Sequence, residues 1–203
     1  MQKYRAERIL PLNTQNNNTN AKRPRDKWKL RVFELVLFAM LGALMFCSKI
    51  IMEVLPNIHL LGMFTVAFTL VFRSKALIPI YVNVILVGVY GGFNLWWIPY
   101  LYIWTVLWAL AMLIPRKAPR WLLCIICPIL CSLHGFLYGI LYAPAQALMF
   151  GLNFEQTLAW IASGAVFDVL QGVGNFLAGL LIVPLCELLK KLLKKSGYYA
   201  LSN

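Results

Sequence analysis

Charge is what this chain has least of. Only 13% of its 203 residues are Asp, Glu, Lys or Arg, against ~25% in a soluble domain. The polar shell of a water-exposed fold is missing, which excludes an ordinary soluble globule. Acidic groups are scarcest, with seven Asp and Glu against 19 Lys and Arg. So few carboxylates leave no paired acid and base within one wet site, unless Asp168 finds a distant partner. The sequence also lacks G-x-S-x-G, H-E-x-x-H and the glycine loop that cradles nucleotide phosphates. It therefore reads as a non-enzyme that cannot hydrolyse ATP alone, with no catalytic residues, cofactor or metal expected.

Apolar residues are what is there. They make up 61% of the chain, and the mean hydropathy is +0.73. They fall into runs near the ~20 residues that a helix needs to cross a bilayer core. The expected spans are 32–52, 58–72, 76–92, 97–114, 121–142 and 157–189. The first 31 residues, basic and with an Asn16-Asn17-Asn18 run, read as a disordered tail, 32–190 as the membrane domain, and 191–203 as a second tail. No short apolar segment with a cleavage site precedes the first run, so a signal peptide is not expected. The fold class is thus an all-α integral membrane bundle of six transmembrane helices.

The net charge of +12 invites a nucleic-acid reading, but its placement argues against one. Every basic residue except Lys49 lies in a tail, in the 73–75 and 115–120 loops or, as Lys190, just past the end of the last span. The 53–57, 93–96 and 143–156 loops hold none. Basic loops stay in the cytoplasm, so both termini are expected inside a cell membrane and the uncharged loops outside. Trp96, Trp97, Tyr100 and Tyr102 suit an interfacial aromatic belt. Cys47, Cys124, Cys127, Cys131 and Cys186 all sit in apolar runs and read as unpaired packing residues, despite the C-x-x-C spacing of Cys124 and Cys127.

Polar groups inside spans are costly and usually face protein or water. Lys49 lies about one turn from the outer end of the first helix, with Glu53 at i+4. It can snorkel, pair with Glu53 or meet an anionic ligand group. Asp168, Gln171 and Asn175 form one stripe on the last helix; the carboxylate can pair with Lys49 or His134 in a functional role, or make a structural hydrogen bond to another helix. His134, Tyr138 and Tyr142 form a second stripe, and Tyr100, Trp104 and Trp108 a third, for which packing is the simpler reading. Glu53, Asn57, His59, Asn94 and Gln146 gather at the outer ends. The pattern suggests an outward-facing pocket with aromatic walls for a small, flat, partly polar molecule.

The stretch Ala39-Met40-Leu41-Gly42-Ala43 has small residues at a spacing that admits a neighbouring helix. With the basic tail, the run from Ser48 to Asn57 and six helices joined by short basic inner loops, the chain resembles the substrate-binding S components of energy-coupling factor (ECF) vitamin transporters. The resemblance covers Glu34 to Leu189. It implies capture of a vitamin-like molecule from outside and delivery through a transmembrane T component driven by two ATPase subunits. Ala39, Gly42 and Ala43 would dock that partner, and Lys49, Glu53 and Asn57 would form one wall of the site. No substrate signature stands out. The alternatives are a stand-alone proton-coupled transporter using Asp168 and His134, and an intramembrane enzyme using the same pair.

Overall fold

The computed structural model describes residues 24–55 and 58–198. Among these, all regular structure is helical. The helices are α1 (Pro24–Ile51), α2 (Leu61–Phe72), α3 (Leu77–Gly91), α4 (Tyr100–Met112), α5 (Arg120–Phe136), α6 (Tyr138–Phe150), α7 (Phe154–Gly179) and α8 (Ile182–Lys195). Five segments are long and apolar enough to cross a membrane: Trp28–Val54, Leu61–Gly91, Leu95–Met112, Arg120–Phe150 and Phe154–Gly179. Between 22% and 39% of each apolar window is buried in the bundle, so most of this surface turns outward. Leu35 and Met40 are 70% and 65% exposed, which suits lipid and not water. The chain is a multi-pass membrane helical bundle.

The 31-residue segment Leu61–Gly91 reverses direction. Arg73 adopts φ 55°, a conformation that costs a non-glycine residue ~1–3 kcal/mol. Its guanidinium donates to the carbonyls of Met112 and Ile114 at 2.6 and 3.0 Å, satisfying the end of α4, and its own carbonyl accepts from Trp108 Nε1. After that reversal α3 climbs back along α4. Tyr81 bonds the Leu101 carbonyl and Trp97 the Val84 carbonyl. The described residues thus make six passes along the bundle, with α5 and α6 forming one of them.

The helix α2 is the axis of the bundle, with Leu61 to Thr69 all buried. Phe38, Leu41, Gly42 and Met45 form the inward stripe of α1, at the spacing of one helical face. Phe38 meets Phe72 edge to face, while Gly42 sits against Val82 and the Pro79 carbonyl of α3. At the basic end, Lys75 pairs with Glu34, Arg120 with Glu187 at 3.3 Å, and Tyr198 donates to Glu34. The amphipathic α8 closes that end, burying Ile182, Val183, Cys186, Leu189 and Leu193 and exposing its lysines.

Several expected boundaries move. The helix α1 starts at Pro24, inside the stretch read as tail. The polar loop expected over 143–156 is helical as far as Phe150: Ala143, Ala145, Gln146, Ala147 and Leu148 are good helix formers, and the helix accommodates Pro144 within it. Left-handed Gly151 ends α6, and Asn153 with Gln156 forms a capping box that starts α7, leaving a three-residue connection. The long last span breaks at Leu180–Leu181 into α7 and α8.

The closest helix contact joins α5 to α7. A methyl at Gly135 would come within 2.8 Å of the Gly172 Cα, and one at Gly179 within 2.6 Å of the Pro128 Cα. Backbones at that distance admit no side chain. Gly135→Ala should therefore lower the stability of the detergent-solubilised protein by ~1–3 kcal/mol. Gly164→Ala on the same α7, where nothing lies within 4 Å, should be neutral or stabilising by up to ~1 kcal/mol. Thermal unfolding of the two variants in parallel checks this, and equal midpoints would refute the contact.

Candidate functional site

The inward stripe of α1 does not stop at Met45. Lys49 and then Glu53 continue it beyond the core, and both line a cavity of about 400 Å³ at the end of the bundle opposite the basic cluster. The volume lies in the range of small-molecule sites, ~300–1,000 Å³. Met52, Leu55, Ile58 and His59 complete the wall from the α1–α2 connection. Trp96 enters from the turn before α4, Tyr100 from α4, Tyr138 and Tyr142 from α6, and Gln171 from α7. The site is built from α1, α4, α6 and α7 and from the connections before α2 and α4.

Beneath it lies an aromatic layer. Trp104, 1% exposed, has its ring centroid 5.6 Å from His59, 5.7 Å from His134 and 6.2 Å from Tyr138 and Tyr100. Such edge-on and tilted pairs lock one another in place. Tyr142 is held at one face by its stack on Trp160 at 5.7 Å and at its edge by its hydroxyl, which donates to the Trp96 carbonyl at 2.9 Å. The walls are therefore largely pre-formed. Four buried polar atoms in and under the cavity have no hydrogen-bond partner among the described residues: His59 Nδ1, Gln171 Nε2, Trp104 Nε1 and His134 Nδ1. Native structures leave few such atoms, and those that remain call for an explanation.

The residues singled out from sequence divide cleanly. Lys49, Glu53, Tyr100, Tyr138, Tyr142 and Gln171 meet at the cavity. Trp104 and His134 lie one layer below it, His134 bonded through Nε2 to the Ile103 carbonyl at 3.2 Å. Asn57 lies outside the described residues. Asn94 is exposed in the turn after α3 and Gln146 is half-buried on α6, and neither lines the cavity. Lys49 and Glu53 make no ion pair with each other or with any other described residue.

For Asp168 the structure takes the structural alternative, a hydrogen bond to a neighbouring helix, and not a place in the cavity wall. Asp168 pairs with neither Lys49 nor His134. Both its oxygens accept from the Gly139 N–H, at 3.1 and 3.2 Å. That N–H is one of the orphan donors at the start of α6, and a carboxylate there also suits the helix dipole. Asp168 thus anchors the break between α5 and α6. It lines a separate apolar hollow of about 210 Å³ with Trp160, Ile161, Gly164 and Phe167, behind the Tyr138–Tyr142 wall. Gly42 is also corrected: it is buried against α3, so it cannot belong to an outward face with exposed Ala39 and half-buried Ala43. The five cysteines are free thiols, of which Cys127, Cys131 and Cys186 are buried.

Two cavity residues carry a weaker signal in the sequence: His59 reads as an outer polar group and Trp96 as an interfacial aromatic, while the structure puts both in the cavity wall. The signal for His59 was its place: an imidazole in the connection just before the most buried helix. Burial holds His59 down from its usual 6.5 to about 4, and the charge of Lys49 acts in the same direction.

Two outcomes follow. Asp168→Ala should destabilise the bundle by ~1–3 kcal/mol in detergent unfolding, while Asp168→Asn, which still accepts from Gly139, should cost much less. His59 takes up a proton more readily when unfolded than when folded. Its contribution to stability is full above pH ~6.5 and is lost as pH falls toward about 4. Unfolding midpoints of wild type should therefore drop more steeply over that window than those of His59→Phe. Comparison of the chain with protein-family models, with curated proteins and with solved structures finds no match, so its function is argued from the cavity.

Proposed function

We propose that the chain is a substrate-capture protein, working as the S component of an ECF-type importer and binding a vitamin-like small molecule at the exterior membrane face. The observation that carries this reading is the cavity at the uncharged end of the bundle, walled by Trp96, Tyr100, Tyr138 and Tyr142 and holding a cation that no described residue neutralises. The uncharged connections suit the outside and the basic ones the cytoplasm, where both termini would lie. The bundle carries no nucleotide loop, so uptake would draw on a T component and two ATPase subunits. The exposed stripe of α1 around Leu35, Val36, Ala39 and Met40 would be the face for the T component. A proton-coupled route through Asp168 and His134 gains no support, since their hydrogen bonds go to separate backbone groups.

The reading is tested by purifying the full chain alone. It should bind, or retain through purification, a small molecule at nanomolar to micromolar affinity without ATP, and Tyr138→Ala should weaken that binding at least about tenfold. Ala39→Phe should leave binding intact and reduce uptake in cells that hold the T component and ATPases. Uptake undiminished by Ala39→Phe would remove the docking face, and absence of any bound molecule would remove the capture role.

A further inference from the structure

The charge of the cavity and its unpaired donors say which ligand chemistry it fits, a step that rests on the capture reading above. Lys49 is the sole cation lining the cavity among the described residues. It is half-buried and has no hydrogen bond or ion pair to another described residue. Withdrawing an ammonium from water without a counter-charge is costly. A lysine held in this way is matched by an anion entering from outside.

The other charged groups leave that preference standing. Glu53 is on the same wall but one turn nearer the rim and exposed, where solvent and salt weaken its field. His59 is neutral at pH 7, so it adds no second positive charge. Glu34, Lys75, Arg120 and Glu187 are engaged with one another at the far end of the bundle. Asp168 lies behind the Tyr138–Tyr142 wall with both oxygens on the Gly139 N–H and does not line the cavity. Lys49 is therefore the one charged group among the described lining residues below the rim.

Gln171 supplies the second constraint. It is 3% exposed, lines the cavity, and its Nε2 has no partner. A side-chain amide nitrogen is a donor only, so it is complemented by a carbonyl oxygen or an aza nitrogen of the ligand. The third constraint is shape. Trp96, Tyr100, Tyr138 and Tyr142 present ring surface, and Tyr142 is pinned by its stack on Trp160 and its bond to the Trp96 carbonyl. Pinned ring walls favour a flat guest over a branched one.

We infer that the ligand is a planar aromatic or heteroaromatic anion, with its carboxylate or phosphate on Lys49 and a ring acceptor facing Gln171. Neutral or cationic rings leave the ammonium unmatched and bind more weakly.

The experiment uses the full chain in detergent and titration calorimetry with three matched probes: quinoline-3-carboxylate, quinoline-3-carboxamide and quinolin-3-yl phosphate. At least one anionic probe should bind about tenfold or more tighter than the carboxamide, and the stronger of the two identifies carboxylate or phosphate as the group held. Lys49→Gln should erase that gap while carboxamide affinity stays within about threefold, Lys49→Arg should keep it, and Gln171→Leu should weaken all three probes. Equal binding of the anionic and neutral probes, or a gap that survives Lys49→Gln, overturns the inference. Should no probe bind, mass spectrometry of the molecule retained by the purified chain decides. An anionic ring compound supports the inference, whereas a neutral or cationic one overturns it and leaves capture standing. If nothing binds and nothing is retained, both fall.

Discussion

A polar group held away from water must be answered by another polar group, and in a chain this apolar the supply is short. The 13% of charged residues cannot be spread evenly. Most collect at one end, where Lys75 meets Glu34 and Arg120 meets Glu187. Within the bundle some of the remaining polar side chains turn to backbone groups and others to the cavity, while Asn83 and Asn175 stay buried with amide atoms unpartnered among the described residues. Asp168 finds the Gly139 N–H, Ser132 the Gly172 carbonyl, and His134 the Ile103 carbonyl. Lys49, Gln171 and His59 share the cavity instead.

The close approach of α5 and α7 makes the cavity possible at its far wall. Gly135 against Gly172 and Gly179 against Pro128 bring two backbones together along the lower part of the pair. Higher up, Gly139 yields its N–H to Asp168, and the helix restarts as α6 in a new register. That restart sets Tyr138 and Tyr142 side by side as a wall, with Trp160 of α7 behind Tyr142. A carboxylate that the sequence offers for several roles thus shapes the cavity wall through the backbone.

The arrangement also explains why a cation sits in the first helix. The stripe of Phe38, Leu41, Gly42 and Met45 points at α2 and α3 for as long as those helices are alongside. Beyond Met45 the same face meets the cavity, so the same helical geometry aims Lys49 into it. The aromatic layer around Trp104 then closes the floor.

Helical character, multiple passes and the segregation of charge are all written in local composition, because a bilayer demands long apolar helices and sorts lysine and arginine by loop. The alignment of Lys49 with Glu53 and of Tyr138 with Tyr142 follows from helical periodicity in the same way. Partners between helices do not. Whether Asp168 faces Lys49 or Gly139, whether Gly42 faces a neighbour in the chain or an outside one, and whether Trp96 lies in an interface or in a cavity wall depend on contacts between residues far apart in sequence. Those contacts are set by which backbones can approach most closely, a property of the packed bundle that no single segment carries.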